Sequence, residues 1–177
     1  MLADRLLPIA PMLALLLWAA VQDVRTRKIR NWLTFTMALS GLLASMLHRG
    51  AVAPSQAGLG LLVGFAIPFV LFVLGALGGG DVKLLAGVGA WLGPAGAIQV
   101  FAAAAIAGMV IVLVQCTYQG KLFALLRNSA VMAISLVHVN QLGVEHAAAT
   151  GQSCRSVDRP LPYALPVLMA TVLVVLM

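Results

Sequence analysis

Residues 84–120, LLAGVGAWLGPAGAIQVFAAAAIAGMVIVLVQCTYQG, run for 37 positions without one charged side chain. A helix needs about 20 apolar residues to cross a bilayer, so this run is too long for one crossing and long enough for a hairpin. Gly93-Pro94 supplies the break. Proline removes an interior helix hydrogen bond and disfavours helix in the residue before it. The reading is a short helix over 81–92 and a full one over 95–118. Its weak point is the short helix, because about 12 residues rise only ~18 Å against a hydrocarbon core of roughly 30 Å.

Further charge-free runs flank this one: 6–22, 31–47, 50–80, 128–144 and 160–177. Three of them, 6–22, 31–47 and 160–177, each fit one crossing, and within 50–80 the apolar stretch 58–77 makes another. The whole composition agrees. Of 177 residues, 62% are hydrophobic and 9% charged, with 11 Lys or Arg against 5 Asp or Glu. A soluble domain carries roughly 25% charged residues, and a disordered chain needs low hydrophobicity with high charge. Both classes are excluded. Residues 1–20 read as a first anchor rather than a cleaved leader, since Asp4 spoils a positive n-region. Cys116 and Cys154 form neither a disulfide framework nor a CxxC pair.

Basic residues set the orientation. Arg25, Arg27, Lys28 and Arg30 crowd the loop after the first helix, which marks it as cytoplasmic. The second helix then runs outward to His48 and Arg49, and the third returns, placing Gly78-Gly79-Gly80-Asp81 at the inner face. A hairpin in 84–120 puts Lys121, Arg127, Arg155 and Arg159 on that same side; a single helix would put them outside. Segment 128–144 is polar for a span, and Leu122, Leu126, Ala133 and Val137 share a helical face. An interfacial amphipathic helix is expected there. The expected architecture is an all-α polytopic membrane protein, a single domain over 1–177 with about six transmembrane helices and both termini outside.

Asp23 and Asp81 are the most informative residues. Each stands at the inner end of an expected helix, two crossings apart, so both emerge on one face at similar depth. Carboxylates near a bilayer are costly and usually functional when they face the bundle interior. Two held close cannot both ionise. The ionised member of such a pair can activate water while the protonated member polarises a peptide carbonyl, which is aspartic-protease chemistry. Position alone fits solvated loop acids equally well; scarcity tips the balance, with only five acids in the chain and one of them directly after three glycines. Gly78, Gly79 and Gly80 lack Cβ atoms and would let an extended substrate backbone approach beside Asp81, whereas a helix cap would explain one of them.

Gly78-Gly79-Gly80-Asp81-Val82-Lys83 reads as GxGDxK, and Asp23 through Asn31 reads as D-x5-I-x-N, 58 residues earlier. Together they resemble the type IV prepilin peptidases, GxGD membrane aspartic proteases, and the short length resembles the branch serving Flp/Tad-type pili. The resemblance covers most of the chain, including Leu161-Pro162-Tyr163 before the last helix. Arg30 departs from it, standing where the family usually has proline. The resemblance implies endoproteolysis at the cytoplasmic face of a bacterial inner membrane, with Asp23 and Asp81 as catalytic residues. It implies a prepilin-like substrate cut just before its hydrophobic helix, with pilus or secretion assembly machinery as a further partner. Larger members also N-methylate the new terminus; nothing here resembles the region they use, so peptidase action alone is expected, with no cofactor.

Lys83 and Asn31 are secondary candidates. Lys83 lies two residues past Asp81, so on a helix it points elsewhere, as an interfacial anchor more than a substrate contact. The basic loop suits membrane lipid, and no nucleic-acid partner is expected. Gly60-Leu61-Leu62-Val63-Gly64 is a GxxxG, and Ala86, Gly87, Ala90, Ala104 and Gly108 continue small residues at helical spacing, allowing close helix packing. His138, Glu145 and His146 read as solvated loop residues, with no metal site expected. The other functional reading is a small ion-coupled transporter or pilus-assembly subunit using intramembrane acids.

Overall fold

The computed structural model describes residues 7–47, 50–74, 76–120, 123, 127, 128, 130, 131 and 163–177. Its regular elements are helices: α1 (Ala10–Thr26, entered through a 3-10 turn at Leu7–Ile9), α2 (Asn31–Met46), α3 (Pro54–Val73), α4 (Gly79–Tyr118) and α5 (Ala164–Leu176). Three helical stretches are long and apolar enough to cross a membrane: Leu7–Thr26, Pro54–Val73 and Gly79–Tyr118. Ala164–Leu176 is apolar but shorter. The expected interfacial helix in 128–144 lies outside the described residues apart from isolated positions.

α4 is two rods. Gly93 adopts φ 74° and ψ −179°, a conformation essentially restricted to glycine, directly before Pro94. The rod over 79–92 lies against α3 in antiparallel register: Gly60 faces Gly89 and Gly93, and Gly64 faces Leu85 and Ala86. Gly93 sits beside Val52 and Gln56 at the start of α3. The second rod folds back, with Gly89 facing Ala97 across the bend. By Gly108 it has reached Tyr163, which lies within electrostatic reach of Asp81. The glycine-proline break therefore makes the expected reversal.

The shortness of the first rod also finds its reason. Val82 and every residue from Leu84 to Trp91 are buried, enclosed by α2 and α3 and by the second rod. A helix covered by protein has no need to match the bilayer thickness. Small residues make this possible: Gly41 receives the Trp91 ring, Gly87 receives Met37, and Gly60 and Gly89 meet backbone to backbone. Trp91 Nε1 donates to the Met37 carbonyl at 3.0 Å, tying the rod to α2 and satisfying its buried N–H. Many other large apolar side chains point outward, among them Leu17, Phe35, Leu43, Leu62, Phe65 and Ile106. Small residues at the points of closest approach are what close helix packing in lipid favours.

Helix ends differ from the sequence reading. α1 does not stop at residue 22 but continues through Thr26, because a charged residue does not end a helix. It ends where Arg27 turns left-handed (φ 53°, ψ 28°) and its N–H closes on the Asp23 carbonyl at 2.8 Å. Asp23 is thus inside the last turn. α3 occupies 54–73 rather than 58–77, starting on Pro54, whose missing N–H costs nothing in a first turn.

Candidate functional site

The extended α1 carries Asp23 into the protein, where only 6% of the residue is exposed. Its Oδ2 accepts the Ala164 N–H at 3.1 Å, so the first turn of α5 rests on this carboxylate. A helix N-terminus offers unsatisfied N–H groups, and an acidic side chain is a natural partner for them. The Arg27 charge also acts on Asp23, and the left-handed turn at Arg27 keeps it next to the helix end.

Asp81 occupies the third position of the α4 helix, whose N-cap is Gly78. Its backbone N–H donates to the Gly78 carbonyl at 3.1 Å, and its carboxylate lies against Gly78. The carboxyl groups of Asp23 and Asp81 lie within electrostatic reach of each other. The two aspartates singled out from the sequence are therefore brought together.

The three glycines differ in what bounds them. A Cβ on Gly78 would stand 2.9 Å from Asp81 Oδ2, one on Gly79 3.3 Å from the Phe72 ring, and one on Gly80 3.4 Å from Ile29. Gly78 leaves room for the carboxylate itself, and Gly80 is the floor on which Ile29 sits. Lys83 Nζ donates to Asn31 Oδ1 at 3.0 Å. The secondary candidates thus meet each other, and Lys83, read as a lipid-interface anchor, instead ties α4 to the start of α2. Ile29 on Gly80 and Asn31 on Lys83 together pin the α1–α2 turn to the helix that bears Asp81.

Arg30, the N-cap of α2, has φ −69° and ψ 133°. That is the conformation proline imposes, and the Arg30 N–H donates to no backbone acceptor among the described residues. Arg30→Pro should therefore fit without strain. It is expected to stabilise the protein by about 0.4–1 kcal/mol by restricting the unfolded chain, read as a raised thermal midpoint in detergent.

Sequence reasoning missed the start of α5 as part of the site. Tyr163 and Ala164 follow Leu161-Pro162; Tyr163 lies within electrostatic reach of Asp81 and Ala164 bonds Asp23. The signal available was the proline two residues before an apolar run, which marks a helix start but not what the helix touches. Gln22 Oε1, next to Asp23, is buried without a hydrogen-bond partner. No group of three metal-ligating side chains occurs among the described residues; His138, Glu145 and His146 lie outside them.

Comparison with known proteins bears on the same segments. The chain is 39% identical over 79 residues to a preflagellin peptidase of Methanococcus voltae, covering 42% of this chain and 34% of that protein. A preflagellin peptidase of Methanocaldococcus jannaschii is 34% identical over 79 residues, covering 42% and 33%. The matched stretch spans about a third of the length of these curated relatives. No solved structure matches. A model of the type IV leader peptidase family matches residues 10–113, from the first residue of α1 into the second rod of α4. That match takes in both aspartates and the turn between α1 and α2, and by it this chain belongs to the type IV leader peptidase family.

Proposed function

We propose that this protein is a membrane-embedded aspartic endopeptidase that removes short basic leaders from prepilin-like proteins. The observation that carries the reading is the meeting of Asp23 and Asp81, from helices far apart in sequence, at one end of the bundle. Family membership and the preflagellin peptidase relatives support it. In the proposed reaction, the ionised carboxyl takes a proton from water as the water oxygen bonds to the scissile carbonyl carbon. The other carboxyl gives its proton to the carbonyl oxygen, leaving a neutral gem-diol. Collapse transfers a proton to nitrogen and breaks the C–N bond, releasing a new carboxyl terminus and a new amine.

The substrate class is an Flp-like prepilin, cut just before its apolar helix. In this reading the site faces the cytoplasm, because Arg25, Arg27, Lys28 and Arg30 lie at the same end of α1 as Asp23. The proposed topology is one domain of six crossings, with the two rods of α4 counted separately and both termini outside. Asn31 and Lys83 hold the turn in place, Gly78 leaves room for the Asp81 carboxylate, and no methyl transfer is assigned.

The test is co-expression with an Flp-type prepilin and intact-mass analysis of the pilin. The expected result is a pilin shortened by its leader only when this protein is present. A pilin that stays full-length beside abundant membrane-inserted protein would reject the reading, and ion-driven flux in vesicles would replace it with transport. Gly78→Ala refines the test. The backbone at 78 (φ −81°, ψ 145°) suits alanine, so folding should survive. The added methyl displaces the Asp81 carboxylate, and the cleavage rate should fall at least about tenfold, because small misplacements of reacting groups are costly.

A further inference from the structure

The start of α5 bonds one member of the carboxyl pair and lies within electrostatic reach of the other. Ala164 holds Asp23 through its N–H, and the neighbouring Tyr163, at the N-cap of the helix, lies in the field of the Asp81 carboxylate. The aromatic ring is positioned by packing: a Cβ on Gly108 would stand 3.6 Å from Tyr163 Cε2, so the second rod of α4 leaves space for the ring. Among the described residues, the Tyr163 hydroxyl has no hydrogen-bond partner. Buried or half-buried tyrosines usually place this hydroxyl on an acceptor. The ring is held by packing, and its unused donor belongs to the same helix end that bonds Asp23 and lies in the field of Asp81.

We propose that Tyr163 is a third catalytic residue, its hydroxyl donating a hydrogen bond to the scissile carbonyl oxygen as that oxygen gains charge. The assignment rests on the peptidase reading. The phenol keeps its proton throughout: water still loses its proton to the ionised carboxyl, and the carbonyl oxygen still takes its proton from the other carboxyl. Tyr163 lowers the barrier between these states, as a preorganised donor aimed at developing negative charge does. A purely packing tyrosine would act through its ring, which phenylalanine supplies equally well.

The experiment uses the full-length protein, purified in detergent, with a prepilin peptide spanning the leader junction. Tyr163→Phe is expected to lower kcat by about 10²-fold, to leave KM within about twofold, and to leave the thermal midpoint unchanged. A peptide carrying a hydroxyl isostere of the gem-diol should lose affinity for Tyr163→Phe by a similar factor, while substrate affinity does not. A kcat within twofold of the parent overturns the proposal, and so does a rate loss accompanied by a lowered thermal midpoint. The two failures are distinguishable: full activity in Tyr163→Phe with inactive Asp23→Asn removes only the tyrosine, whereas a parent protein that cleaves nothing overturns the peptidase reading and this inference together.

Discussion

Asp23→Asn and Asp81→Asn are each expected to reduce leader cleavage by about 10³-fold or more while the protein still accumulates in the membrane. Asparagine keeps the size and one acceptor oxygen of aspartate. At position 23 it can still receive the Ala164 N–H, so α5 stays docked; at position 81 it fills the same space against Gly78. What it cannot do is carry the charge or pass the proton. Removing either member leaves one carboxyl without its partner, so the double variant should be no worse than either single one, as for groups that act as a unit. The measurement is the ratio of processed to full-length pilin over time, with membrane abundance followed in parallel. Substantial processing by either single variant would reject the pair as the reacting groups.

The second large effect is on folding. Gly60→Ala and Gly89→Ala are each expected to destabilise the protein by about 3 kcal/mol, since the new methyl would run into the backbone of the facing helix. A side chain in the way can rotate, but a carbonyl oxygen in a helix cannot. α3 and the first rod of α4 would have to separate, which would shift the whole segment that carries Asp81. Gly58→Ala is the control. It sits two residues earlier on the same helix, and nothing lies within 4 Å of its would-be Cβ. There alanine should stabilise by about 0.5–1 kcal/mol, because glycine is a poor residue inside a helix. Unfolding in mixed micelles separates the three variants. Equal behaviour of Gly58→Ala and Gly60→Ala would show that the α3–α4 contact is looser than described.

These two predictions rest on features of unequal visibility. The Gly60–Gly64 stripe was legible because close helix packing in lipid requires small residues at fixed spacing, but spacing does not say which helix lies opposite. Gly60 meets Gly89 and Gly64 meets Leu85, a register that depends on the bend at Gly93. Asp23 was legible as a scarce acid at the inner end of a helix, beside a basic loop, but the sequence did not say whether it faces the bundle. Only the continuation of α1 to Thr26 turns it inward. Lys83 went the other way. Its position two residues from Asp81 suggested lipid, and a partner 52 residues distant in sequence claims it instead.

Composition and charge spacing by themselves determined that this chain is helical and membrane-bound, that residues 84–120 reverse on themselves, and that Asp23 and Asp81 belong to one end. These properties follow from local quantities: the length of apolar runs, the backbone limits of glycine and proline, and the sparing use of acids. Tertiary structure alone decided that the short first rod of α4 is wrapped by protein, that Ile29 rests on Gly80, and that α5 brings Ala164 to Asp23 and Tyr163 to the neighbourhood of Asp81. Contacts of that kind join residues as much as 141 positions apart. They are set by how whole helices fit together, a quantity that no stretch of neighbouring residues contains.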